Sequence, residues 1–534
     1  MFPMSRNKGK ANIYLGGFMA SGKTSAGREL SRVTGRPFLD LDAVIEQRAG
    51  MTVAEIFANR GEPEFRSIET RILKEVCELE SCIVALGGGV LINDDNRRII
   101  KDSGPLVILD VRPGTVRLRT SARPGQRPLL ESENLEQLMW SRRKTYDCGD
   151  FCLQTDDISV DDVALKIREK FDLPLFPEGI ERRSRRGENP GDKVIVGRGI
   201  LHRLPELLGH DVVPFVVADA ITVHMFGDRI DRKKGLAILP RGETAKSLER
   251  VGDLYRAFSD AGVDRSDTVV ALGGGVVGDT AGFAAATWMR GVNLVQCPTT
   301  LLAQVDSAIG GKVGVNLLQG KNLVGAFHQP KIILSDTNCL ASLSWQDYRQ
   351  GLSEVVKYGL GEDPEFFEWL EENALPLRER DPGILSEAVS WCSRLKLEVV
   401  AEDEKERTGA RARLNLGHTV GHALEAASGY KTWQHGDSVA VGMLVAAHLA
   451  FRTGDCDAET QDRLRILLCR LDLPNAPDTP WEGLLPHLEK DKKFEGGKTR
   501  LILPRTGAKS CVRDDISLDE LRAAYEEVIK WKTD

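Results

Sequence analysis

Residues 12–24 read NIYLGGFMASGKT: an apolar run, then GFMASGKT from Gly17 to Thr24, then a stretch of helical periodicity. The segment satisfies G-x-x-x-x-G-K-[ST] in the context that gives this pattern meaning, between a strand and a helix. Gly17 and Gly22 let backbone N–H groups wrap the phosphates of a nucleotide, Lys23 reaches the terminal phosphates, and the Thr24 hydroxyl can ligate Mg²⁺. A chance glycine turn would need neither the strand nor the helix. Outward from this loop, short apolar runs (PFLDLD, IVALGGG, PLVILDV) alternate with amphipathic stretches up to about Leu173. That is the rhythm of an α/β fold with a parallel sheet.

At 534 residues the chain exceeds what one hydrophobic core serves, so several domains are expected. Residues 174–192, PLFPEGIERRSRRGENPGD, are rich in Pro, Gly and charge and read as a linker. A second α/β pattern begins at KVIVGRGIL and PFVVAD and continues to VVALGGGVVGD. From roughly Trp345 to Leu473 helical patterns dominate. The resulting division is 1–173, a P-loop domain; 174–192, a linker; 193–344, a Rossmann-like nucleotide-binding α/β subdomain; and 345–534, a helical subdomain. The net charge of -7 argues against a whole-chain nucleic-acid binder. The ten cysteines form no CxxC pair, and no apolar run reaches membrane-spanning or signal-peptide length. The expectation is a cytoplasmic protein acting on small molecules, with no nucleic acid or membrane partner.

In the second half, Glu354, His418 and His435 have the chemistry of a catalytic Zn²⁺ site, which takes three protein ligands and keeps one position open. His418 and His422, four apart on a helical stretch, share a face. Both could bind metal at that spacing, but Thr419 follows His418, so the H-E-x-x-H pattern fails. The Gly273–Asp279 stretch follows the apolar run TVVAL, as a loop feeding a helix N-terminus at a pyrophosphate should. Arg290, Lys312, Lys321, Lys357 and Arg411, interleaved with Asp306, Asn322 and Asn415, suit an anionic substrate.

Residues 12–172 resemble shikimate kinase. The resemblance rests on the P-loop, FLDLD, IFANRGEPEFRSIE, IVALGGG and SARPGQRPLL. It implies that Asp40 assists Mg²⁺ with ATP, that Asp42 holds shikimate hydroxyls, and that Arg66 and Arg142 bind the shikimate carboxylate. It places Gly87, Gly88 and Gly89 against the ring and gives lid residue Arg127 the transferring phosphoryl. Ala20 replaces a glycine common in that family, and Arg143 is an alternative to Arg142.

Residues 193–530 resemble 3-dehydroquinate synthase. Six blocks carry this in order: VVALGGGVVGDTAGFAAATWMRG, QCPTTLLAQVDSAIGGKVGVN, GKNLVGAFHQP, GLSEVVKYG, RARLNLGHTVGHALE and HGDSVAVGM. The resemblance implies that Glu354, His418 and His435 hold Zn²⁺ (or Co²⁺) and that His422 transfers protons. It implies an NAD site at Asp219, Gly242, Glu243, Lys246, Gly274, Gly275, Val276, Val277, Gly278, Asp279, Thr299, Thr300, Lys312 and Lys321. Lys312, Asn322, Lys357, Arg411 and Asn415 would bind 3-deoxy-D-arabino-heptulosonate 7-phosphate, with Lys357, Arg290 and Asp306 among the catalytic groups. Lys492 and Lys493 resemble a further phosphate-binding element. Ala308 stands where that family usually has Ser. The implied cycle oxidises the carbon 5 hydroxyl, eliminates phosphate, reduces the ketone and closes the carbocycle, with NAD regenerated each turnover. By analogy the synthase-like half is expected to form a homodimer. Another sugar-phosphate cyclase, a glycerol-dehydrogenase-like enzyme or a decayed scaffold would explain fewer of these residues.

Overall fold

The computed structural model describes residues 10–121, 135–173, 181–183, 194–209, 211–230, 232–317, 319–488, 494–495 and 498–533. In the first half, strands β1 (Ile13–Gly16), β2 (Phe38–Asp40), β3 (Ile83–Ala85), β4 (Leu106–Asp110) and β5 (Phe151–Gln154) form a parallel sheet in the order β2-β3-β1-β4-β5. Side chains alternate along a strand. Ile13 and Leu15 therefore join Leu30, Val107 and Ile167 on one face, while Tyr14 joins Leu39, Val84, Ile72 and Val76 on the other. Both faces are covered, so β1 is apolar without a break.

The second half is built on a seven-stranded sheet of β6 (Glu181–Arg183), β7 (Val194–Gly197), β8 (Phe215–Asp219), β9 (Gly235–Leu239), β10 (Thr268–Gly273), β11 (Asn293–Pro298) and β14 (Ile332–Asp336). Its order is β6-β7-β14-β11-β10-β8-β9. A separate hairpin pairs β12 (Lys312–Leu317) with β13 (Gly320–Phe327). Every pairing in the large sheet is parallel except β6 with β7. β6 lies inside the stretch read as linker, which corrects that reading. An edge strand needs only backbone partners on one side, and its charged residues leave no apolar alternation to detect.

From Trp345 the chain is helical as expected as far as helix Trp481–Leu488. It then forms a three-stranded antiparallel sheet of β15 (Phe494–Glu495), β16 (Lys498–Arg505) and β17 (Ala508–Ser517). The assignment of 345–534 to a helical subdomain is corrected here for its last part. Leu501, Ile502, Leu503 and Ile516 of this sheet enter the same core as the helices.

The two halves are packed together. Ala220 and Ile221 of the second sheet's domain sit in the same buried cluster as Tyr14, Leu39 and Val76. Across the contact the Glu80 N–H donates to Ser342 O (3.2 Å), the Asn338 amide donates to Gly35 O (3.0 Å), and Arg380 pairs with Glu80 (3.2 Å). No helix among the described residues is long and apolar enough to cross a membrane.

Candidate active sites

The P-loop connects β1 to the helix Lys23–Thr34. Lys23 Nζ donates to Gly17 O and Phe18 O, both at 3.0 Å, so its charge is held over the loop. Thr24 Oγ1 donates to Asp40 Oδ2 at 2.7 Å, bringing the two expected Mg²⁺ groups together. Ala20 has φ 61°, a left-handed conformation that costs a residue with a Cβ about 1 kcal/mol or more. Asp42 is pushed up to about 6 by burial first and by neighbouring Asp40 second, against the pull of Lys23.

The expected acceptor residues converge on the glycine run after β3. Arg142 Nη1 donates to Gly88 O (3.1 Å), and Tyr146 does so at 3.4 Å. Close approach explains the glycines: a Cβ on Gly87 would lie 2.4 Å from Asp42 Oδ1, and one on Gly89 would lie 2.4 Å from Arg66 Nη2. Arg66 is fixed by Glu69 (2.8 Å) and Glu62 (3.1 Å). Buried Glu69 was missed by sequence reasoning, although its place three residues after Arg66 on one helix face signals the pair. Arg127 lies outside the described residues.

In the second half one cleft of 1620 Å³ is lined by Asp219, Gly242, Glu243, Lys246, Gly274, Gly275, Val276, Val277, Asp279, Thr299, Thr300, Asp306, Lys321, Asn322, His422 and His435. It exceeds the roughly 300–1,000 Å³ of a single-ligand pocket, as a site for a dinucleotide and a second substrate requires. The helix Gly275–Thr287 starts at this cleft with no side-chain cap, leaving its first N–H groups for an anion. Asp219 caps helix Ala220–Phe226 by accepting from the N–H groups of Ile221 and Thr222 (3.0 and 3.1 Å). Glu243 accepts from the Asn316 amide at 2.7 Å, and Lys246 pairs with Asp279.

Beside the cleft, Glu354 on helix Trp345–Glu362, His418 opening helix His418–Ala427 and His435 opening helix His435–Thr453 bring one ligand atom each within 4.8 Å of the others. His435 Nε2 is 3.1 Å and His418 Nε2 3.5 Å from Glu354 Oε1. The outer nitrogens are also engaged: His418 Nδ1 with Leu416 O (3.1 Å) and His435 Nδ1 with Glu425 Oε1 (3.2 Å). Metal-binding imidazoles are oriented in this way. His422, Glu425 and His435 also bring one ligand atom each within 4.8 Å of the others, but there Glu425 would leave its orienting role to become a ligand. Burial raises the Glu354 pKa, but Lys357 first, then His435 and His418, pull it down to about 2. Burial drives His418 down to about 3. At His435 burial is outweighed by the bonds to Glu354 and Glu425, which lift it to about 10. Glu425 was another missed residue; seven positions after His418, it shares that residue's helix face.

Lys357 contacts Glu354 and lies 3.7 Å from Asp306, which also takes a bond from Tyr358 (2.7 Å) and an ion pair from buried Lys396 (2.9 Å). Although burial favours the neutral acid, Lys396 and Lys357 hold Asp306 well below the usual carboxylate range. Lys396 was not anticipated, and no local spacing ties it to Asp306. The turn carrying Asp306 is a π-helical segment, Ala303–Ser307, a distortion frequent at functional sites.

Five expected anion-site residues do not line the cleft of this chain: Lys357, buried against Glu354 and Asp306, and the four that follow. Arg290 sits on an exposed turn with φ 66°; Lys312 pairs with Glu406; Arg411 is buried and donates to Glu404 O and Gly310 O (2.9 and 3.3 Å); and Asn415 lines a separate small cavity. Lys492 and Lys493 lie outside the described residues.

Residues 236–350 match the family model for the 3-dehydroquinate synthase N-terminal region, and residues 351–494 match its C-terminal region. A 3-dehydroquinate synthase of Halorhodospira halophila is 48% identical over 289 residues, 54% of this chain and 81% of that protein. The chain belongs to the 3-dehydroquinate synthase family. It carries in addition the shikimate kinase family match over residues 19–172. The Idiomarina loihiensis 3-dehydroquinate synthase is 48% identical over 264 residues, covering 49% of this chain and 74% of that protein. Among solved structures, 2-epi-5-epi-valiolone synthase from Streptomyces hygroscopicus subsp. jinggangensis 5008, with NAD⁺ and Zn²⁺ bound, is 27% identical with a TM-score of 0.59. That match covers 66% of this chain and 100% of the other. A 2-deoxy-scyllo-inosose synthase complexed with carbaglucose-6-phosphate, NAD⁺ and Co²⁺ is 25% identical, with a TM-score of 0.57 over 65% of this chain and 100% of the other. The synthase half therefore shares the architecture of the sugar-phosphate cyclases, joined to a shikimate kinase half.

Proposed function

We propose that the kinase half transfers the γ-phosphoryl of ATP to shikimate, and that the synthase half cyclises 3-deoxy-D-arabino-heptulosonate 7-phosphate to 3-dehydroquinate with loss of phosphate. The observation that carries the synthase reading is the Glu354, His418 and His435 trio, with both outer imidazole nitrogens already oriented, beside a cleft that an uncapped helix N-terminus enters. A His₂Glu donor set suits Zn²⁺ or Co²⁺, and the uncapped N–H groups suit the pyrophosphate of NAD⁺. When bound, the metal would polarise substrate oxygens and NAD⁺ would take up and return a hydride. The chain's own groups do the rest. Helix Gly275–Thr287 receives the pyrophosphate, Glu243 accepts from ribose hydroxyls, Lys357 and Lys396 supply positive charge around Asp306 for an anionic substrate, and an imidazole nitrogen of His422 moves the substrate proton.

In the kinase half Lys23 and the P-loop N–H groups hold the phosphates of ATP. Thr24 and Asp40 are paired where Mg²⁺ binds, Asp42 accepts from shikimate hydroxyls, and Arg66 and Arg142 face its carboxylate across Gly87–Gly89. Placement in the cytoplasm and homodimerisation through the synthase half belong to the same reading, the latter checked by light scattering.

Chelation tests the metal. Cyclisation should stop on dialysis against chelator and return with Zn²⁺ or Co²⁺, and elemental analysis of His435→Ala should show lost metal. Stoichiometric metal in that variant would overturn the ligand set.

A further inference from the structure

The cleft that holds Asp219 and Gly242–Glu243 is not walled by the synthase half alone. Arg48, from helix Leu41–Ala49, and Glu75, from helix Val53–Glu78, line it from the kinase half. Arg48 and Glu75 form a two-pronged pair, Nη1 to Oε1 at 2.8 Å and Nη2 to Oε2 at 2.6 Å. Glu75 Oε2 also lies 3.8 Å from Arg241 Nη1, in the residue directly before Gly242. Arg48 is raised first by its bonds to Glu75, with burial opposing, and further by the charge of Asp219.

The two-pronged pair is half-buried, with side chains 22% and 29% exposed, so it holds a defined geometry and not merely a loose surface contact. Its position carries the meaning. A guanidinium held in place by a carboxylate at the wall of a nucleotide-sized cleft is the group that forks onto phosphate oxygens. We propose that the kinase half completes the dinucleotide site of the synthase half. Arg48 faces the anionic backbone of the dinucleotide, while Glu75 is a positioning residue that holds Arg241, and through it the Gly242–Glu243 turn, against the ribose. The proposal rests on the NAD reading above.

The test is calorimetric titration of the full-length, zinc-loaded protein with NAD⁺ and with ADP-ribose, which keeps the adenosine and pyrophosphate but lacks nicotinamide. Shikimate phosphorylation by the same preparations reports an intact fold. Arg48→Glu should weaken both ligands about tenfold, and Glu75→Ala about threefold, with recovery in Glu75→Asp. Affinity within about 1.5-fold of wild type in variants that still phosphorylate shikimate, or weakened NAD⁺ with unchanged ADP-ribose, overturns the proposal. Should Arg48→Glu lose phosphorylation too, Arg241→Ala decides: about threefold weakening supports the proposal and none overturns it. A wild-type protein that binds no NAD⁺ brings down the proposed function as well, whereas a failure confined to the variants leaves that function standing.

Discussion

Replacing Arg380 by Ala should uncouple the unfolding of the two halves. Arg380 Nη1 reaches Glu80 Oε2 at 3.2 Å, and the two side chains are only 5% and 12% exposed. The same nitrogen donates to Ala341 O, and the guanidinium lies 4.5 Å from the Tyr348 ring centre. The Glu80 carboxylate cannot simply swing into water, because its own backbone N–H is tied to Ser342 O. Breaking a fully buried pair costs about 3–5 kcal/mol. Here Arg380 Nε and Nη2 make no hydrogen bond of their own, so truncation also removes a desolvation cost, and about 2–3 kcal/mol is expected. That loss falls on the interface. Calorimetry of the wild type should show one endotherm that shikimate with ADP shifts as a whole; in Arg380→Ala it should divide, with the earlier transition lowered by about 5 °C or more. Lys10→Ala provides the contrast, since its 3.1 Å pair with Glu379 spans the same interface but Glu379 is 54% exposed, and almost no shift is expected. Two ligand-independent transitions already present in the wild type, or a shift in Arg380→Ala no larger than that in Lys10→Ala, would refute the reasoning.

Lys23→Ala should abolish shikimate phosphorylation and leave cyclisation within about twofold of wild type, measured in separate coupled assays, because the charge it removes lies over the nucleotide phosphates of the kinase half. His422→Ala should keep its metal by elemental analysis and lose about 10²–10⁴ in cyclisation kcat, whereas His418→Ala should lose the metal; two metal-free variants would place His422 among the ligands. Glu425→Gln should bind Zn²⁺ about 10- to 100-fold more weakly in competition with a chromogenic chelator, since it removes the carboxylate that orients His435; unchanged affinity would assign Glu425 a purely structural part.

What the sequence made legible is what chemistry ties to local spacing. The P-loop needs its glycines, Lys23 and Thr24 within eight residues, and the metal trio stands out because histidines are few and flanked by glycines. Lys396 shows the limit: it meets Asp306 only because helix Pro382–Glu402 packs against the π-helical turn, and ninety residues of intervening chain carry no pattern that says so. The C-terminal hairpin hid for a different reason. Leu501, Ile502 and Leu503 are consecutive apolar residues, and a strand buried on both faces lacks the alternation that separates strand from helix. β6 hid behind its charge. The contact between the halves was hidden as well, and Ile221 shows why. In AITVHMF an apolar side chain facing the other half cannot be told from one facing its own sheet.

The contact between the halves follows a consistent logic. His224 Nε2 accepts from the backbone N–H of Asp40 at 2.9 Å, and half-buried His224 is shifted down by its partial desolvation, in keeping with a neutral acceptor. The synthase half thus fixes the end of β2 through main chain, leaving the Asp40 carboxylate to Thr24. In the other direction Arg48 and Glu75 reach the synthase cleft from the end of helix Leu41–Ala49 and from helix Val53–Glu78, while Asp42 and Arg66, on these same two helices, lie against Gly87 and Gly89 of the kinase half. Helix Ala220–Phe226, about 10 Å long, has Asp219 at its start in the dinucleotide cleft and His224 near its end on the kinase strand. Neither half borrows the other's reacting groups. What each borrows is scaffold. The two catalytic sets therefore read as complete on their own in the sequence, although the walls that hold them are shared.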